Sequence, residues 1–318
     1  MSRFREADLS RVRSQSVEIR SSKVGIADFS KPVDPGMAGI LDALPHILAG
    51  DALREAVRSV ARAAAAGKCV VAMIGGHVVK TGCSPLLIQL MREGVIGAVA
   101  MNGAAAIHDY EVARFGRTSE DVEATLGAGT FGMAAETSQE MNRITREAAE
   151  NRLGLGEALG KDLWDAEAPN RELSLLAWGH ELEIPVTVHV ALGTDILHQH
   201  ESADGAAIGE TSLRDFRILA GVMEGFQDGV ALNLGSAVIL PEVFLKAFSV
   251  ASNLGANLTG ITTVNFDFIR HYRPRVNVVE RPTAEGRGQG LEIIGHHEIL
   301  LPLFTAGVLR ELKALKGA

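Results

Sequence analysis

The sequence predicts an α/β fold, a parallel and doubly wound Rossmann-like sheet with a helical insertion, and three observations predict it. Short apolar runs such as Cys69-Val-Val-Ala-Met-Ile74 lack the polar alternation of a half-exposed strand, so they belong to a sheet covered on both faces. Segments of helical periodicity separate these runs. Several of the runs end in Gly or Asn, where a chain turns from strand to helix.

Residues 1–35 are polar and close with Lys31-Pro-Val-Asp-Pro35, which reads as an N-terminal arm with little core. Residues 36–318 read as a single α/β domain. Its first helix starts near Asp51, the candidate N-cap, and stops at Gly67. The strand 69–74 ends in Gly75-Gly76, a helix follows from Ser84 to about Glu93, and a second buried strand covers Ile96–Met101. Strand, helix and strand make a βαβ unit.

The middle, about 134–182, is largely helical, with stretches at 136–151, 157–164 and 172–181. Strands resume at Ile184–Val190, Gly229–Leu234 and Leu258–Val264, with helices near 213–225 and 241–254 between them. A Pro/Arg/Gly-rich loop at 273–290, a short strand at Leu291–Ile294 and a closing helix near 298–313 complete the chain. Gly127-Ala-Gly-Thr-Phe-Gly132 matches the dinucleotide fingerprint, yet residues 119–126 before it read as a capped helical turn or two, so it is read as a loop.

Composition narrows the function. A formal net charge of −8 lacks the basic footprint of an electrostatic nucleic-acid binder, and 318 residues with 47% hydrophobic content suffice for a large core. The two cysteines, Cys69 and Cys83, have no CxxC spacing, so neither a disulfide framework nor a cysteine-rich zinc site is indicated. With no signal-like apolar region and no run of about 20 apolar residues, the expectation is a cytoplasmic protein.

Ligands of open α/β sheets bind beyond the carboxyl ends of the strands, so the loops there are the candidates. Gly75-Gly-His-Val-Val-Lys-Thr-Gly82 offers Gly75, Gly76 and Gly82 for close backbone approach, with His77, Lys80 and Thr81 beside them; a plain tight turn explains the glycines equally well. Asn102 and Gly103 open a small-residue stretch leading to His108-Asp109, a titratable pair. The same small residues also permit close helix packing.

Thr194, Asp195, His198 and His200 form the densest polar cluster, able to hold a metal only if the H-x-H segment is extended. Thr263, Asn265 and Asp267 accompany another strand end, and His296 precedes the last helix; Asp267 and Glu298 also suit helix capping.

Over roughly residues 60–310 these stretches resemble, in order, the deoxyhypusine synthases. That family's Thr-Thr-Ala-Gly-Gly-Val-Glu-Glu-Asp is similar to Met101-Asn-Gly-Ala-Ala-Ala-Ile-His-Asp109, with Ile107 and His108 in place of the glutamates. Its Ile-Pro-Val strand and Ala-Leu-Thr-Asp-Gly-Ser loop resemble Ile184-Pro-Val and Ala191-Leu-Gly-Thr-Asp195. Its Leu-Gly-Gly-Gly resembles Leu234-Gly-Ser-Ala237, and its Asp-Ala-Ser-Leu-x-x-Pro-Leu resembles His296-His-Glu-Ile-Leu-Leu-Pro-Leu303.

The resemblance implies NAD bound at the interfaces of a homotetramer by Gly75, Gly76, His77, Lys80, Thr81, Gly82, Asn102, Gly103, Thr263, Asn265, Asp267 and His296. It also implies a transferase whose lysine forms an imine. That lysine would fall near Pro282, and no lysine lies between Lys246 and Lys313. Proline cannot form an imine, so the family's reaction is not expected.

The expectation is therefore an enzyme of this fold that binds NAD or a related nucleotide and acts on a small substrate, an amine being one option, other than the family's usual polyamine pair. His108, Asp109, Asp195 and His198 are the candidate catalytic residues. Two alternatives stand beside it: a metal-dependent C–N hydrolase built on the His/Asp cluster, and a non-catalytic ligand-binding homologue. Neither nucleic acid nor membrane is an expected partner.

Overall fold

The computed structural model describes residues 9–317. Its eight strands are β1 (Ser22–Gly25), β2 (Val70–Ile74), β3 (Ala98–Asn102), β4 (Arg117–Glu120), β5 (Val186–His189), β6 (Val230–Leu234), β7 (Ile261–Asp267) and β8 (Gly288–Ile294). Six of them form one parallel sheet in the order β5-β3-β2-β6-β7-β8. Ranked along the chain, that is the doubly wound order 3-2-1-4-5-6, with its switch point between β2 and β6.

The side chains of β2 show why both faces are covered. Val70, Ala72 and Ile74 enter one core with residues of the Leu48–Ala65, Ser84–Arg92, Gly103–Phe115 and His297–Lys316 helices. Val71 and Met73 enter the other, with Leu219 and Met223 of the Gly205–Glu224 helix and Phe244 of the Ile239–Asn253 helix. Every residue of β2, β6 and β7 is buried, so alternation cannot appear in their sequences. The expected helical middle is present as Ala135–Glu150, Leu155–Asp165 and Leu175–Glu181.

Several local expectations are corrected. The first long helix begins at Leu48 after Ile47, so Asp51 is a first-turn residue paired with Arg54 and not the cap. Ser119 lies in β4, and only Val122–Leu126 is helical, capped by Asp121, before the glycine-containing loop. Asn265 and Asp267 lie inside β7, not after it; Asp267 caps no helix, and its Oδ1 accepts from the Phe268 amide at 2.8 Å. His296, not Glu298, is the cap position of the last helix.

The lead-in from residue 9 carries more structure than its polarity suggests. Val17, Phe29 and Val33 are buried, β1 pairs antiparallel with β4, and Arg20 is 4% exposed. Residues 1–8 of the expected arm lie outside the described residues. Among the described residues no helix is long and apolar enough to cross a membrane.

Candidate functional site

The loops at the carboxyl end of the sheet pack on one another through glycine. A Cβ built on Gly75 would lie 2.3 Å from the Gly235 carbonyl oxygen, and one on Gly103 would lie 1.9 Å from Asp195 Oδ2. These glycines therefore let strand ends and loops close together, and Gly103 lets Asp195 reach the N-terminal end of the Gly103–Phe115 helix.

Behind that contact lies a cavity of about 230 Å³, lined among others by Arg20, Lys80, His108, Glu111, Glu120 and Asp195. His108 Nδ1 is 2.7 Å from Thr118 Oγ1, and that hydroxyl donates to Glu111 Oε2 at 2.6 Å. Because the threonine proton goes to the carboxylate, Nδ1 of the imidazole must donate, which leaves Nε2 as an acceptor without a partner among the described residues. Burial pushes His108 down to about 4 against the opposing pull of Glu111, so the ring is neutral at pH 7.

Glu111 is held hard in place. Thr137 Oγ1 donates to it at 2.9 Å, and Arg20 meets both its oxygens at 2.7 and 3.1 Å. Also lining the cavity, Glu120 accepts from the Gly132 amide through Oε2 at 2.8 Å, while its buried Oε1 has no partner among the described residues. Burial raises the Asp195 carboxyl, opposed by His198 and Thr194. Ser119, with φ of 63°, holds a left-handed conformation on the cavity wall, a strained state for a residue with a side chain. The cavity thus joins a neutral base to three carboxylates, one of them paired with Arg20, and an ammonium group, an arrangement able to receive a small polar molecule carrying both charges and to take a proton from it.

Of the four candidate catalytic residues, the cavity unites His108 and Asp195. Asp109 is turned away: fully buried, it accepts from Ser174 Oγ, from Leu175 N at 2.9 Å and from Leu176 N at 3.1 Å, and so caps the Leu175–Glu181 helix. His198 folds onto its own loop, Nδ1 accepting from Gly193 N and Asp195 N at 3.1 and 3.2 Å. His200 is engaged with Ser202 at 2.8 Å, and no three His, Cys, Asp or Glu side chains among the described residues gather as a metal site would require.

Among the candidate nucleotide residues, Gly75, Gly76, His77, Asn102, Gly103, Asp267 and His296 do cluster at the carboxyl end, although Asn102 spends its side-chain oxygen on capping the Gly103–Phe115 helix. Lys80 belongs to the His108 cavity. Thr81 bonds back to His77 O at 3.0 Å, and Gly82 packs on the backbone of Asp28 and Phe29. Thr263 and Asn265 are buried within β7, Asn265 Oδ1 accepting from Asn233 at 2.8 Å.

Arg20, Glu111, Thr118 and Glu120 escaped the sequence reading. Glu111 left a signal, because residues three apart share a helix face whereas the neighbours His108 and Asp109 diverge by about 100°. Arg20 and Thr118 left none, since their partners are distant in the chain or in another element.

No family model and no curated protein matches the sequence. Solved structures do match. Unliganded AgrE aligns at 18% identity and a TM-score of 0.54, over 85% of this chain and 34% of AgrE. AgrE in complex with ornithine and NAD+ aligns at 16% identity and a TM-score of 0.51, over 84% of this chain and 34% of AgrE. A provisionally named deoxyhypusine synthase from Entamoeba histolytica aligns at 13% identity and a TM-score of 0.45, covering 76% of this chain and 75% of that one. What this chain shares with AgrE is the fold. The chain spans about a third of the length of AgrE.

Proposed function

We propose that this protein is an enzyme that binds NAD or a related dinucleotide at the carboxyl end of its sheet. It acts there on a small amine-bearing substrate, with His108 as the proton acceptor. The observation that carries the reading is the neutral His108, hung through Thr118 on Glu111 with Nε2 open, in one cavity with Asp195, Glu120 and Lys80. The fold shared with AgrE, crystallised with ornithine and NAD+, supports pairing a dinucleotide with an amine.

The residues present fit a dinucleotide at one definite point. Asp267 Oδ2 is buried without a partner at the carboxyl end of β7, where a ribose hydroxyl would supply the missing donor. Around it stand the rings of His77, Phe268 and His296, with centroids 5.2 Å apart for His77–Phe268 and 6.4 Å for the stacked Phe268–His296 pair. Bound NAD would supply a hydride acceptor.

The chain's own part is to attract and deprotonate. The carboxylates of Asp195 and Glu120 draw in an ammonium group, Lys80 draws an anionic group, and His108 Nε2 accepts a proton as the amine becomes neutral. A lysine imine is not part of this scheme, because Pro282, the position the resemblance assigns to the lysine, is buried with its carbonyl accepting from Arg287 at 3.1 Å. Assembly into a homotetramer and a cytoplasmic setting belong to the same proposal.

Thermal unfolding with and without NAD tests it. At about a hundred times its Kd, NAD stabilises the native state by about 2.7 kcal/mol. The expected result is a rise in Tm that Asp267→Ala abolishes; no rise at millimolar NAD, with no nucleotide copurifying, refutes the reading.

A further inference from the structure

The segment 121–132 ends in the glycine motif Gly127-Ala-Gly-Thr-Phe-Gly132, which the dinucleotide reading leaves without a role. Val122 and Phe131, near its two ends, line the His108 cavity together with Glu120 at its base. Its outer side faces solvent: the Val122–Leu126 helix buries no residue, and Val122 and Leu126 are 41% and 63% exposed. The motif therefore belongs to a loop lying over the cavity.

Both flanks of this loop are anchored, and its middle is not. Upstream, β4 is paired with β1. Downstream, Gln15 N donates to Met133 O at 2.7 Å and Ala135 N donates to Gln15 O at 2.8 Å. Between 122 and 131 the hydrogen bonds among the described residues close within 121–133, as when Thr125 Oγ1 donates to Asp121 O at 2.7 Å and Thr130 N to Thr125 O at 3.1 Å. At the first residue, Asp121 meets Lys23 at 3.0 Å, with side chains 31% and 52% exposed, a surface pair of small worth. A segment bonded to itself and little to its surroundings opens as a unit.

The buried tie lies at the far end. Gly132 N donates to Glu120 Oε2 at 2.8 Å, and Glu120 is 9% exposed. This one hydrogen bond joins the two ends of the loop. Gly132 also sits so close to the loop of Asp195 that a Cβ built there would lie 2.8 Å from Ile196 Cγ2. Left-handed backbone flanks the segment on both sides, with φ of 63° at Ser119 and 74° at Gly132.

We infer that residues 121–132 are a lid on the His108 cavity, latched by the hydrogen bond from Gly132 to Glu120, and that its opening admits the ligand. Closure keeps water from His108 and from the free Oε1 of Glu120, where a ligand's charge is felt most strongly. The inference rests on reading the His108 cavity as the substrate site. Its tests use neither substrate nor NAD, so the lid and that reading can fail separately.

Hydrogen exchange of the full chain at pH 7, read residue by residue, is the first test. The amides of 122–132, with the latched Gly132 among them, are expected to exchange through one local opening that low urea does not accelerate, while those of β4 exchange through a urea-sensitive one. Glu120→Ala is expected to speed exchange over 122–132 at least about tenfold, as loss of a hydrogen bond to a charged group implies, with the amides of β2 unchanged. Glu120→Gln keeps an acceptor for Gly132 N and is expected to restore most of the protection.

The second test is acylation of neutral imidazole by diethylpyrocarbonate. In Gly132→Ala the added methyl group unseats the lid from Ile196 and leaves the side chains lining the cavity in place. His108 is expected to react about tenfold or more faster in that variant, with exposed His46 unchanged. Gly132 that exchanges with β4 and not with 122–131, Glu120→Ala that leaves the segment's exchange unaltered, or His108 that reacts no faster in Gly132→Ala overturns the inference. The wild-type exchange pattern decides even if neither variant folds.

Discussion

His108 and Asp109 are neighbours in the chain and opposites in the structure. One faces a cavity with a free ring nitrogen; the other is closed off as the cap of a helix 65 residues further on. His108 is expected to titrate near pH 4 in histidine-selective NMR, and Glu111→Gln to lower it further, because the carboxylate is the attraction that opposes burial. A rise in Glu111→Gln contradicts the relay. Asp109→Ala leaves a buried hydroxyl and two amides without an acceptor, so urea unfolding should show a loss of about 2–4 kcal/mol. Ligand binding by the folded fraction should be unchanged.

The polar lead-in matters at the scale of elements. β1 closes against β4, and the segment just before β1 delivers Arg20 to Glu111 with both side chains at most 2% exposed. Removing one partner of such a pair strands a buried charge. Arg20→Met should therefore destabilise by about 3–5 kcal/mol, and adding Glu111→Leu should recover part of that loss in a double-mutant cycle. Simple additivity would show that the pair is not coupled. The strand-end glycines make a second element-scale case: Gly75→Ala drives a methyl group against the Gly235 carbonyl oxygen at the switch point, an overpacking that should cost about 1–3 kcal/mol.

Across the whole molecule, two sets of buried groups pull stability in opposite directions with pH. His108 and His189 are each held down to about 4, so the unfolded chain binds more protons and stability is lost as pH falls from about 6.5 through 4. Asp109 and Asp215 are pushed up by burial to about 6 and about 7, so the native state binds more protons and stability falls as pH rises from the ordinary carboxyl range toward those values. The two trends offset each other between about pH 4 and 6.5. Asp215→Asn removes the larger acid contribution; its stability relative to the wild type should climb from about pH 4 to pH 7 in urea titrations, and a pH-independent difference would sink the assignment.

Local chemistry made the fold legible. Continuous apolar strands, glycine stops and helical periodicity determined a covered parallel sheet and most of its elements, because each of those signals is written within a few neighbouring residues. The same signals located the carboxyl-end loops and, within them, His108 and Asp195. Tertiary structure alone decided which polar residues serve a cavity and which serve packing: the helix sends His108 and Asp109 to different surroundings, β4 brings Thr118 and Glu120 to the site, and the lead-in brings Arg20 across 91 residues. Such contacts join residues far apart in sequence, and their partners become definite only once the sheet order has placed the strand ends side by side.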